Sequence, residues 1–172
     1  DITVGLIPLA VGGTEISQWM RGTALYNSVL NAAAVARNRG VIKGVLWHQG
    51  EHDSFRADTA LAYGDNLETL IDDLRIDLQL AELPFIVGNL TSSPPPEKGE
   101  DFSPFVTRRL QFVASAFHRT GYARSAGAPF LPNDPIHFTT AGQRIMGERY
   151  CDEYLRITGH WQQEAKDRLD AG

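Results

Sequence analysis

Cysteine is almost absent from this sequence: Cys151 is the only one in 172 residues. An intrachain disulfide is therefore impossible and a thiolate metal cluster is excluded. Long apolar runs are missing too, and none reaches the length needed to cross a bilayer. Basic charge is in deficit, with 16 Lys and Arg against 21 Asp and Glu, for a formal net charge of −5. Nucleic acid and anionic membrane are poor partners for such a chain, because both demand a basic face. A neutral substrate suits it. There is no internal repeat, no domain linker, no GxGxxG or P-loop pattern, and no serine in a G-x-S-x-G or S-x-x-K context. The remainder, 42% hydrophobic and 22% charged, is ordinary for one globular domain over 1–172.

Strand-like and helix-like segments alternate along the chain. Short β-rich runs stand at 4–9, 41–47 and 84–90. Helical spacing appears at Tyr26, Leu30 and Ala33, ending near 39–40, and again at Leu67, Leu70, Ile71, Leu74 and Leu78, in a helix expected over 58–82. Val106, Leu110, Val113 and Phe117 mark another helix, and a short strand is expected at 122–125. Residues 133–138 read as a loop, after which Thr139 or Thr140 caps a last helix running towards Tyr154. The prolines at 94–96 place that stretch in a loop, and 155–172 reads as a polar tail. This order predicts an α/β fold with a mostly parallel sheet covered on both faces.

Three polar clusters fall after strands or before the last helix, at the carboxyl edge where such sheets bind ligands. In Val11-Gly12-Gly13-Thr14, the glycines permit a tight turn with a backbone N–H aimed at an oxyanion, although a plain strand-to-loop turn uses the same residues. Thr14 beside them is a candidate substrate contact. In Trp47-His48-Gln49-Gly50-Glu51-His52-Asp53, Gln49 can donate a side-chain N–H to an oxyanion and Glu51 can orient a histidine. His48 is a candidate substrate contact, and Trp47 is either a flat wall for a sugar or a core side chain. His48, Glu51 and His52 also match an inverted zinc-protease pattern, but that motif needs a helix, whereas this one follows a strand and contains Gly50. In the third cluster, Asp134 and His137 stand three apart, so that a carboxylate can hold the imidazole tautomer and stabilise the imidazolium. A loop histidine beside a helix cap is the plainer reading. Ser54, Ser92 and Ser93 carry no activating motif, and His118 and His160 read as surface residues.

Together, in this order, Pro8-Leu9-Ala10-Val11-Gly12-Gly13-Thr14, Trp47-His48-Gln49-Gly50-Glu51 and Asp134-x-x-His137-Phe138 resemble the SGNH hydrolase superfamily. Within it they look most like the sialate O-acetylesterase-like group and carbohydrate esterase family six, the acetylxylan esterase type. The resemblance spans residues 4 to about 154. It implies a flavodoxin-like three-layer sandwich and cofactor-free, metal-free hydrolysis of acetyl esters on carbohydrates by a Ser–His–acid arrangement. It also implies His137 as general base, Asp134 as its acid, Glu51 as substitute or supplement for Asp134, Gly13 or Gly12 as backbone oxyanion donor, and Gln49 as side-chain donor.

The family's nucleophile lies in a Gly-Gln-Ser-Asn or Gly-Asp-Ser type motif after its first strand, and no such motif occurs here. The chain opens where the family's second core strand belongs. The first strand, its serine and a following helix are therefore expected outside this sequence, upstream or on a separate chain. The 172 residues alone are expected to hydrolyse acetyl esters poorly. A sugar-binding pseudoenzyme and a zinc hydrolase are the alternatives.

Overall fold

The computed structural model describes residues 3–90 and 100–159. Three parallel strands form the centre: β1 (Val45–Trp47), β2 (Phe85–Gly88) and β3 (Thr120–Ala123), in the order β1-β2-β3. Val45 is in register with Phe85, and Phe85 with Thr120. Four helices surround them: α1 (Ala24–Arg37), α2 (Ala57–Asp77), α3 (Ser103–Ala116) and α4 (Thr140–Thr158). A separate antiparallel pair, β4 (Phe130–Leu131) and β5 (Asp134–Phe138), precedes α4. No helix among the described residues is long and apolar enough to cross a membrane.

Side-chain alternation along β2 divides the core in two. Phe85 and Val87 join Trp47 on one face, packed with Tyr63, Leu67, Leu70, Ile71 and Leu74 of α2 and with Val106, Leu110 and Val113 of α3. Ile86 points the other way, to Ala123 of β3 and to Met146 and Tyr150 of α4. The sheet is thus covered on both faces. Arg75, on α2, ties the entrances of β2 and β3 together by donating to the carbonyls of Leu83 and His118. Of the two candidate caps for the last helix, Thr139 takes the position, its hydroxyl accepting the Gly142 N–H at 3.1 Å.

Two expected elements differ. Residues 3–11 form no strand: they pair with no ladder, and Val4 and Leu6 are 78% and 82% exposed. A β-rich run becomes a strand only when a neighbour accepts its hydrogen bonds, and among the described residues β1 pairs with β2 alone. The stretch expected as the loop 133–138 is instead strand β5. Pro132 presets a negative φ and Asn133 takes φ +63, the two corner conformations of a tight reversal. Phe130 then stacks on Phe138 with ring centroids 4.7 Å apart and holds the ribbon closed. Pro135 is tolerated because a two-stranded ribbon is all edge. The run expected at 41–47 keeps only its last three residues in the ladder and that at 84–90 only its middle four, β3 begins two residues early, and α2 ends at Asp77 as the chain turns towards β2. The prolines at 94–96, Ser92, Ser93 and His160 lie outside the described residues, as does most of the expected tail.

Candidate active site

Beyond Trp47 the chain leaves β1 and reverses through Gly50, at φ +136. A Cβ there would stand 3.0–3.2 Å from Val106, Leu90 and Tyr63, so the turn is pressed directly onto the core. Tyr63, buried on α2, donates its hydroxyl to the Gln49 carbonyl at 2.6 Å and accepts the Trp47 Nε1–H at 3.2 Å. Trp47 itself is buried and meets Trp19 edge-on at 5.5 Å. Its ring is a core wall and offers no face to a sugar. Thr14 is also buried, donating to the Val11 carbonyl at 2.9 Å and accepting the Trp19 Nε1–H at 3.0 Å. Its side chain shapes the turn and presents no free hydroxyl to a ligand. Gly12 and Gly13 beside it are exposed, and Gly13 sits at φ +71 with open space around its α-carbon.

One carboxylate joins these two clusters. Asp53 is buried, accepts the Ile16 N–H at 3.1 and 3.2 Å through its two oxygens, and accepts Gln49 Nε2 at 2.6 Å. Burial pushes the Asp53 carboxyl up to about 6, against the opposing pull of the Gln49 and Ile16 hydrogen bonds. Gln49 Nε2 also donates to the Thr14 carbonyl at 2.8 Å, so both amide hydrogens are committed, while its Oε1 is buried without a partner. Gln49 can serve an oxyanion only by exchanging one of these acceptors for it.

His48 points into the second face of the sheet. Its Nδ1 lies 2.9 Å from the Tyr150 hydroxyl, which itself donates to the Trp47 carbonyl at 3.2 Å. The tyrosine oxygen therefore accepts from His48 Nδ1–H, and Nε2 is left facing Glu51 Oε1 at 3.8 Å. Burial lowers the His48 imidazole, with Glu51 opposing the shift. Gly88 makes this pair fit, since a Cβ there would overlap both the Tyr150 hydroxyl and His48 Nδ1. Gly88→Ala should force one ring out and cost about 1–3 kcal/mol of stability, read as a lowered urea midpoint. An unchanged midpoint would show that the two rings yield freely.

The third cluster rides on β5. Asp134 Oδ2 lies 2.7 Å from His137 Nδ1, and its Oδ1 accepts the backbone N–H groups of Ile136 and His137 at 3.0 Å each. The His137 hydrogen bond, helped by those two amides, holds the Asp134 carboxyl below the usual range. An ionised carboxylate only accepts, so Nδ1 carries the proton and Nε2 is the basic nitrogen. The His137 side chain is 72% exposed. Phe138 projects from the other side of the strand and meets the His48 ring edge-on at 5.6 Å, which links the third cluster to the second. The carboxylate on His137 is thus Asp134, while Glu51 faces His48.

Ser54 is buried and donates to the Glu51 carbonyl at 2.7 Å, so its hydroxyl is not presented as a nucleophile. His118 is on the surface, 2.7 Å from Glu82. His52 leans on Phe55 at 5.4 Å, and among the described residues no three His, Cys, Asp or Glu side chains are grouped to hold a metal. Sequence reasoning assigned no role to Asp53, Tyr63, Tyr150 or Gly88. Gly88 at the end of an otherwise bulky strand was a usable signal. The two tyrosines sit on core stripes and gave none.

A family model described as carbohydrate esterase, sialic acid-specific acetylesterase, matches residues 1–156. The chain belongs to this carbohydrate esterase family. A probable carbohydrate esterase of Arabidopsis thaliana, At4g34215, is 45% identical over 153 residues, covering 88% of this chain and 55% of that protein. The crystal structure of the Arabidopsis thaliana At4g34215 protein superposes with a TM-score of 0.74 at 32% identity, over 84% of this chain and 58% of that one. A salicylyl-acyltransferase of a tetracycline biosynthetic pathway is far more distant, at 15% identity and a TM-score of 0.46 over 73% of this chain and 40% of that one. The chain thus spans little more than half the length of this Arabidopsis thaliana relative, the probable carbohydrate esterase At4g34215.

Proposed function

We propose that these residues carry the acid–base half of a serine-dependent O-acetylesterase acting on acetylated carbohydrates, of the sialate or acetylxylan type. The observation that carries the reading is the His137–Asp134 pair, closed at 2.7 Å with its basic nitrogen free and its ring exposed. Its membership of a carbohydrate esterase family supports the ester as substrate. In this reading a serine from outside the 172 residues gives its proton to His137 Nε2 and attacks the acetyl carbonyl. The N–H of Gly13, or of Gly12, and the Gln49 amide receive the oxyanion. Collapse returns the proton to the departing sugar oxygen, and water then repeats the sequence on the acetyl-enzyme to release acetate.

The same reading makes the three strands part of a larger flavodoxin-like SGNH sheet, extended along the free edge of β1. Leu46, in register with Ile86 yet 56% exposed, fits that continuation. A sugar-binding protein without catalysis is the second reading, favoured by the lack of a serine hydrogen-bonded to His137 among the described residues. The test is aryl-acetate hydrolysis by the chain alone and by a protein extended upstream in the same reading frame. The chain alone should show no turnover above background, and the extension bearing a Gly-x-Ser motif should restore it, with chelator present. Robust turnover by the chain alone would overturn the externally supplied serine, and an inactive extension would favour the sugar-binding reading.

A further inference from the structure

We propose that Asp53 is a positioning residue that decides which end of the Gln49 side-chain amide faces the turn at 12–14. The inference rests on the reading of Gln49 as an oxyanion donor. Its basis is geometric. The amide nitrogen sits between two acceptors, Asp53 Oδ2 at 2.6 Å and the Thr14 carbonyl at 2.8 Å, whereas the amide oxygen is buried with no donor. An amide free to choose would satisfy its oxygen. Turning it over while Asp53 is ionised would set that oxygen against a carboxylate and a carbonyl at hydrogen-bond distance, two repulsive contacts. The carboxylate therefore imposes the orientation in which N–H groups, and not C=O, lie towards the glycine turn.

The same carboxylate accepts the Ile16 N–H, so it also fixes the segment that follows the glycines. Once protonated, Asp53 can meet either end of the amide, and only the Thr14 carbonyl at 2.8 Å still opposes the turned-over orientation. The groups facing it are few. Glu15, from the segment before Ile16, adds negative charge that raises its carboxyl. Arg56 on its own loop is engaged by Glu15 at 3.2 Å and by Asp58 at 3.1 Å. Tyr63 of α2 is neutral, its hydroxyl pushed well up by burial. Since the Asp53 carboxyl sits at about 6, the ordered amide belongs to the pH range above that value and is lost below it.

The test has two arms. In the 172-residue chain, the Gln49 side-chain NH2 resonances, assigned through their own backbone, should shift with a midpoint near pH 6. Asp53→Asn should remove that transition, because an asparagine side chain carries no titrating group. In the upstream-extended enzyme, Asp53→Asn should lower kcat by about 10²-fold with KM little changed, as expected for a contact made only with the oxyanion. The acid limb of log kcat/KM should contain a step with a midpoint near pH 6 in the parent, and Asp53→Asn should remove that step. Asp58→Asn, an exposed neighbour, should leave both readouts unchanged. Resonances flat between pH 4.5 and 7.5, or a transition that survives in Asp53→Asn, would overturn the proposal (window set around the value near 6). If the extended protein is inactive while the amide still follows Asp53, the esterase reading fails and the carboxylate–amide coupling stands.

Discussion

His137→Ala in the upstream-extended protein should lower kcat for acetyl-ester hydrolysis by roughly 10⁴-fold, because among the described residues no other imidazole is placed to take its role. His48 is engaged with Tyr150, and His52 and His118 lie against Phe55 and Glu82. Asp134→Asn should cost about as much for a different reason. An asparagine Nδ2–H facing Nδ1 forces the imidazole proton onto Nε2, which is where the base must be free. Both variants should fold normally, since the His137 side chain is largely exposed and the pair is not part of either core cluster. Steady-state kinetics on an aryl acetate, with circular dichroism as the control for folding, reads both. Turnover within tenfold of the parent in His137→Ala would remove it as the general base.

The largest expected loss of stability belongs to Gly50→Ala. The position combines φ +136 with a Cβ site already hemmed in by Val106, Leu90 and Tyr63 at 3.0–3.2 Å. Backbone strain and overpacking each cost about 1–3 kcal/mol, so a combined loss of about 2–6 kcal/mol is expected. A urea unfolding series would read it, and a loss under about 1 kcal/mol would mean that the turn can move off the core. Because Tyr63 holds the Gln49 carbonyl, that movement should disturb the amide as well.

The sequence made legible what depends on local pattern. The stripe Leu67, Leu70, Ile71 and Leu74 reads as a buried helix face and is one, and of the two candidate caps Thr139 and Thr140 the first is the cap. Asp134 and His137 are near enough in sequence for their contact to be guessed from spacing. Failures occur where the outcome depends on what lies across space. Residues 4–9 have the composition of a strand, yet composition cannot supply the neighbour that would pair with them. Trp47 sits in a polar motif, and only the approach of Trp19, Tyr63 and Phe85 makes it a core side chain. The commitment of both Gln49 hydrogens involves Thr14, 35 residues away, and no period or motif encodes that distance.

The pair at Asp134 and His137 stands on the two-stranded ribbon and not on the parallel sheet. Such a ribbon is marginal on its own, and this one leans on the Phe130–Phe138 stack, the edge of His48 and the Thr139 N–H bonded to the Pro129 carbonyl. It can therefore open locally at a free-energy cost well below that of unfolding the sheet. Slow amide exchange in β2 beside fast exchange in β5 would be its mark. The proposed base is thereby carried on the part of the fold that can be withdrawn and returned while the rest stays folded.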